Sequence, residues 1–266
     1  MKKIRIAAAL CVVLMVGGFT GCAKKDRAPK TKDLQKVQEA GTLRVGVTEC
    51  PPFSSRSAEG AWSGFDVELA QALCEKLGVA ADFAPLDWET RTQALADGTV
   101  DCLWSGLTAR SDLTEALDFS ESYLASRPCV VVAAETADTW DNAVAFQGAK
   151  LAAEAESAGE SAASLCLPGA QLVQASSQAQ ALVAVTAGTA DAAVVDLLVG
   201  LAAVKNQSEL AVLDHLELGT EEFAVALRKG SDLTARFNEG LAELERDGTL
   251  KTLAEKYGLT DSMIAG

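Results

Sequence analysis

Histidine is nearly missing from this chain of 266 residues, which carries one, His215. Seven cysteines are present, but no two stand in a C-x-x-C pair. Common zinc sites need several Cys or His ligands at short spacing, so a metal site is not expected. Basic charge is also scarce. There are 23 Lys and Arg against 37 Asp and Glu, a net charge of −14. Nucleic-acid binders concentrate basic side chains to displace counterions, so that class is excluded. With 21 Gly and 6 Pro the chain is no collagen. The apolar runs are too short for a polytopic membrane protein. Against these absences, hydrophobic residues make up 49% of the chain and charged residues 23%. That is enough apolar mass for one large core or two small ones.

The N-terminus reads as a separate object. Lys2, Lys3 and Arg5 form a positive start, and Ala7 to Val16 an apolar run. That run is about ten residues, half of what a membrane-spanning helix needs. Residues 1–21 are therefore expected to be a signal peptide rather than an uncleaved anchor. Phe19-Thr20-Gly21-Cys22 resembles a bacterial lipobox, although Phe19 stands where Leu is usual. The resemblance implies a lipid on Cys22 that ties the exported protein to a membrane, each buried CH₂ contributing roughly 0.8 kcal/mol. The polar, basic residues that follow are expected to form a flexible tether over 22–39, within reach of anionic headgroups. The mature chain keeps Cys50, Cys74, Cys102, Cys129 and Cys166, an odd number, and buried free thiols are expected.

Beyond residue 40 the pattern is α/β. Leu43, Val45 and Val47 alternate as a strand. Leu69, Ala70, Leu73 and Leu77 recur at helical spacing before Gly78, and Val79 to Phe83 reads as a second strand. Asp87 is placed to cap a helix over 88–96, and Val100 to Trp104 reads as a third strand. Strand, helix, strand at this spacing predicts parallel pairing with right-handed crossovers. Val130 to Val132 is another strand. A second unit follows, with strands expected over 150–153 and 192–195 and helices over 178–187 and 197–204. A strand over 224–227 and two helices around Phe237 and Leu253 close the chain. Ligands of open α/β sheets sit beyond the strand C-termini. That rule selects Glu49, Phe53, Trp88, Ser105, Gly106, Thr108, Arg110 and Asp196 as candidate binding residues.

Several segments carry a more specific likeness. They are Leu43-Arg44-Val45-Gly46-Val47, Pro52-Phe53, Gly64-Phe65-Asp66-Val67-Glu68-Leu69-Ala70, Ser105-Gly106-Leu107-Thr108, Asp118-Phe119-Ser120 with Tyr123, Asp191 to Asp196, and Asp247-Gly248-Thr249-Leu250. In this order and spacing, residues 40–258 resemble the family 3 extracellular solute-binding proteins, the polar amino-acid receptors of ABC importers. The resemblance implies a two-lobed, periplasmic-binding-protein-like fold of type II, each lobe a mixed sheet flanked by helices. It implies a first lobe of 40–128 plus 221–262 and a second of 129–220, with hinge strands near Cys129–Val132 and Glu221–Val225. Cleft closure buries the ligand.

By the same resemblance Gly106 and Thr108, beside Ser105, grip the carboxylate or ammonium of an amino acid. Trp88 stacks on the ligand side chain, and Asp196 pairs with the α-ammonium. Ser157 precedes a helix whose N–H groups suit a carboxylate. The family's carboxylate-clamping Arg falls on Leu113 here; either a shift of the loop lets Arg110 take over, which is the expectation, or the clamp is gone. Glu154 and Glu156 replace uncharged or basic family residues, and with Glu49 they make the cleft acidic. Cys74 matches a half-cystine of some relatives, but its partner position holds Ala81.

The function expected is capture of a small polar amino acid or cationic amine and its delivery to ABC permease subunits, with no cofactor. The protein is expected on the outer face of the cytoplasmic membrane or in the periplasm. The alternatives are an enzyme on the same scaffold, like a cyclohexadienyl dehydratase, and a surface sensory domain.

Overall fold

A computed structural model of the chain describes residues 31–264. The signal peptide, Cys22 and most of the expected tether lie outside the described residues.

In chain order the first part holds α1 (Asp33–Ala40), β1 (Thr42–Val47), a hairpin of β2 (Ser55–Arg56) and β3 (Trp62–Ser63), α2 (Phe65–Leu77), β4 (Ala80–Pro85), α3 (Arg91–Ala96), β5 (Cys102–Leu103), β6 (Leu117–Phe119) and β7 (Leu124–Ser126). The middle holds β8 (Pro128–Ala133), β9 (Lys150–Glu154), α4 (Ala158–Cys166), β10 (Gln171–Ala175), α5 (Gln178–Thr186), β11 (Ala192–Asp196), α6 (Leu197–Asn206) and β12 (Leu210–Leu213). The chain then returns through β13 (Glu221–Phe223), β14 (Ala226–Arg228), α7 (Leu233–Arg246) and α8 (Thr249–Tyr257).

Two mixed five-stranded sheets result, in the orders β4-β1-β5-β14-β6 and β10-β9-β11-β8-β12. In each, three parallel strands are followed by antiparallel partners. The parallel strands β9 and β11 are short, mostly apolar runs, as burial between helix layers requires, whereas β1 alternates Leu43, Val45 and Val47 with part-exposed Arg44. On the first sheet α2 buries Phe65, Leu69, Leu73 and Cys74, and α7 and α8 pack against it. Each large apolar side chain so buried contributes roughly 1.5–3 kcal/mol. α7 approaches so closely that a Cβ on Gly240 would collide with Leu73. α2 stops where Gly78 takes up the left-handed conformation and donates to the carbonyls of Cys74 and Glu75.

Three expectations are corrected. The tether expected over 22–39 does not reach residue 39, because Asp33–Ala40 is a helix that buries Val37 and Asp33. Asp33 accepts hydrogen bonds from Thr31, Ser231 and Arg228. Burial alone would raise its pKa, but these bonds hold it at about 2. The hinge strand expected at Cys129–Val132 is instead a fully buried inner strand between β11 and β12. Four consecutive apolar side chains suit a sheet interior better than a crossing point. The chain passes between the sheets slightly earlier, where β7 pairs antiparallel with β13 and Ser126 lies opposite Glu221. Finally, Asp87 does not cap a helix over 88–96. Residues Trp88–Thr90 form a single 3₁₀ turn, and the α-helix begins at Arg91.

Candidate functional site

The C-terminal ends of β5, β9 and β11 point toward the crossing strands, and the loops after them meet in one cavity between the lobes. It is lined by Trp88, Arg91, Thr108, Arg110, Glu154 and Asp196 among others. The enclosed space is about 20 Å³, room for one water-sized sphere. That space is smaller than an amino acid.

Carboxyl groups dominate the interior. Asp196 closes β11 and is also the N-cap of α6, where its Oδ1 accepts from the N–H groups of Leu198 and Val199. Its Oδ2 accepts from the Ser126 hydroxyl on β7. Glu221, on β13, accepts from the Thr108 hydroxyl and lines the cavity together with Asp196. Both carboxyls are buried, and loss of solvation pushes both pKa values up. For Glu221 the neighbouring Asp196 adds to the rise. Glu154, at the end of β9, is pushed up to about 7 by burial, with Arg91 pulling it partly back.

Two guanidinium groups from the first lobe reach the loop before α4. Arg91 is only 3% exposed and stacks 4.3 Å from the centre of the Trp88 ring. Its Nη1 donates to the Trp88 carbonyl and, at 3.2 Å, to Glu156 Oε2. Arg110 closes its Nε and Nη2 on Asp112 and gives Nη1 to the Glu156 carbonyl at 2.8 Å. Glu156 adopts φ 58°, a left-handed conformation that side chains other than glycine seldom take. The same turn presents Ser157, whose hydroxyl caps α4 by accepting from Glu160 N–H.

Of the candidate residues, the fold brings Trp88, Gly106, Thr108, Arg110, Ser157 and Asp196 to this cavity. Three lie elsewhere. Phe53 is fully buried and packs edge-to-face on Phe223 at 5.0 Å, a core contact. Ser105 is buried and bonded to Ser54 and the Thr48 carbonyl, so its hydroxyl ties two loops together. Glu49 is exposed and lines a neighbouring open groove with Asp87 and Glu89. Gly106 also differs from expectation. Its N–H donates at 2.6 Å to Asp66, a fully buried carboxyl raised to about 7 by desolvation, and so is not free for a ligand.

Two cavity residues were missed in the sequence. Arg91 shares a helix face with Ala94 and Leu95, at i, i+3 and i+4, and a charge on the buried face was the available signal. Glu221 alternates with exposed Glu222 in phase with buried Phe223, which marks an acid pointing inward.

Residues 43–260 match the model of the bacterial extracellular solute-binding proteins, family 3. The chain is 31% identical over 251 residues to the L-cystine-binding protein TcyJ of Escherichia coli strain K12, covering 94% of each chain. Among solved structures it is similar to the ancestral amino acid-binding protein AncCDT-1, described as a precursor of cyclohexadienyl dehydratase. There the TM-score is 0.79 at 32% identity, covering 84% of this chain and 98% of that one. It is also similar to Tv2483 bound to L-arginine, with a TM-score of 0.81 at 26% identity over 87% and 97% of the two chains. A two-lobed fold closed around a charged cavity and a family match across most of the described residues agree: the chain belongs to the bacterial extracellular solute-binding proteins of family 3.

Proposed function

We propose that this protein captures a cationic amino acid or related small amine between its lobes and passes it to the permease of an ABC importer. The observation that carries the reading is the charge arrangement of one buried cavity. The Asp196–Glu221 pair and Glu154 offer negative charge, and the first-lobe arginines offer positive charge. A zwitterion buried in a dry cleft needs both, because an uncompensated buried charge costs several kcal/mol. Asp196, supported by Ser126, receives the α-ammonium. Thr108 orients Glu221, Trp88 walls the side chain, and Ser157 and Arg110 belong to the carboxylate end. The surplus of buried acid favours a ligand with a second positive charge, and the L-arginine complex of a similar protein is consistent with this.

Residues 1–21 are the signal peptide and Cys22 is the lipid anchor. The protein is thereby held at the outer face of the cytoplasmic membrane or in the periplasm. Replacing Cys22 by Ser releases the exported protein from the membrane fraction if this is right. Isothermal titration of the purified protein with the twenty L-amino acids, L-cystine and polyamines tests the binding reading. Saturable heat with at least one of them is expected, and silence from all with folded protein overturns it.

A second reading is favoured by one observation. Glu154 is held near neutral pKa in a closed cavity, as a general acid of a dehydratase would be. Turnover of prephenate or arogenate followed by absorbance decides for that reading, and no turnover decides against it.

A further inference from the structure

The carboxylate end of the site lacks an arginine on the loop after β5 that faces inward. The resemblance places an arginine at 113, where this chain has Leu, and Leu113 lines the cavity as an apolar wall. Arg110, the expected replacement, spends two of its three nitrogens on Asp112. It sits at the rim rather than inside, with its side chain part-exposed.

Arg91 has the opposite character. It is sealed from solvent, and a buried guanidinium requires an anion. Among the described residues the only carboxylate bonded to it is Glu156, held through one nitrogen, on a side chain that is itself 63% exposed. Among the described residues, Nε of Arg91 is buried without a hydrogen-bond partner, and so is Nε1 of Trp88, on which the guanidinium stacks. Nη2 makes only a long 3.4 Å bond to the Glu156 carbonyl. A planar fork fixed on an aromatic face, with Nε unpaired and Nη2 held only by that long bond, offers one edge that can receive a carboxylate in bidentate fashion. Ala158 and Gly159, at the N-terminus of the nine-residue α4, line the same cavity with backbone N–H groups. Burial lowers the Arg91 pKa, and Glu156 pulls it back.

We infer that Arg91 has taken over the anion-clamping task that Leu113 cannot perform, and binds the α-carboxylate of the captured amino acid in exchange for Glu156. This rests on the amino-acid reading above. The ligand carboxylate displaces the exposed Glu156 side chain and takes up the Nε and Nη2 edge. Arg91 thereby also sets specificity, by demanding a carboxylate opposite the Asp196–Glu221 pair.

Calorimetric titration with L-arginine and with L-argininamide, which lacks the carboxylate, tests this on the wild type, Arg91→Gln, Arg91→Lys and Arg110→Gln. Should another of the twenty L-amino acids or L-cystine titrate instead, that compound and its α-amide take their place. Charge-assisted bonds of this kind carry about a 10- to 100-fold effect. Arg91→Gln is expected to weaken the amino acid by that factor and the amide by less than threefold. Arg91→Lys falls between, keeping charge but losing the fork. Arg110→Gln costs less than Arg91→Gln, and Leu113→Arg added to Arg91→Gln restores affinity for the amino acid. Thermal melts of each variant by circular dichroism separate folding loss from binding loss. Wild-type-like affinity in Arg91→Gln, or equal losses for amino acid and amide, overturns the assignment and leaves the amino-acid reading standing. A wild type that binds none of these compounds removes both.

Discussion

Capture of a cation by protonated acids releases protons, and the size of that release follows from the cavity. Glu154 is raised from 4.5 to about 7 by burial. Asp196 and Glu221 are both raised by burial, and Glu221 further by the neighbouring Asp196. A carboxyl whose folded pKa lies above its unfolded value holds a proton in the native state that the unfolded chain gives up. Its stabilising contribution is complete below the unfolded pKa, near 4.5, and is lost as pH rises through the folded value. For Glu154 that loss amounts to about 3 kcal/mol between pH 4.5 and 8, from 1.36 kcal/mol per pKa unit. Asp66, raised to about 7 as well, adds to the slope of stability but not to ligand-linked release, because it does not line the cavity. Asp33, held at about 2, acts in the opposite sense and only below about pH 4, outside this window. The ligand-free protein therefore melts at lower temperature at pH 8 than at pH 5. Affinity for L-arginine rises over the same interval, by about tenfold per pH unit for each proton released. Titrations at pH 6 in two buffers of different ionisation enthalpy should report release of at least one proton, and Glu154→Gln should reduce the number. Identical heats in both buffers, with a dissociation constant flat from pH 5 to 8, would refute the argument.

Other consequences follow from single side chains. Asp196→Asn preserves the cap of α6, since Asn serves there as well as Asp, but removes the charge for the ammonium. Binding of L-arginine should weaken by about 100-fold with little change in melting temperature, measured by calorimetry and circular dichroism. Asp33→Ala removes the Nε partner of Arg228, which keeps Asp101 and two backbone carbonyls, and frees the bonds that dock α1, so denaturant unfolding should show a loss of about 1.5–3 kcal/mol without a change in ligand affinity at saturation. Gly106→Ala forces a Cβ to 2.7 Å from the Phe53 ring at φ +59°, and should cost about 1–3 kcal/mol in the same unfolding assay.

Much of the scaffold was legible because its signals are local. The alternation of Leu43, Val45 and Val47, the helical spacing of Leu69, Leu73 and Leu77, and the stop at Gly78 each appear in the fold as read. The short apolar run Ala192–Asp196 with an acid at its end placed Asp196 in the cavity by the rule of strand C-termini. The misreadings came from tertiary context. Polar residues 33–39 look like linker, yet Asp33 finds Arg228 nearly two hundred positions away and the helix docks. Phe53 and Ser105 sit in loops that face the cleft in sequence order, but packing against Phe223 and bonding to Ser54 turn them inward. Arg91 and Glu221 escaped notice because a charge in phase with apolar neighbours reads as a solvated exception until its burial is seen.

A crystal structure of the protein grown with L-arginine, or with whichever amino acid titrates, tests the central claim most directly. The account predicts closed lobes, the α-ammonium nitrogen at about 2.7–3.2 Å from an Asp196 carboxylate oxygen, and the α-carboxylate on the far end of the cavity. An amino acid bound with Asp196 contacting only its own helix and Ser126, or bound outside the seam between the lobes, would contradict it.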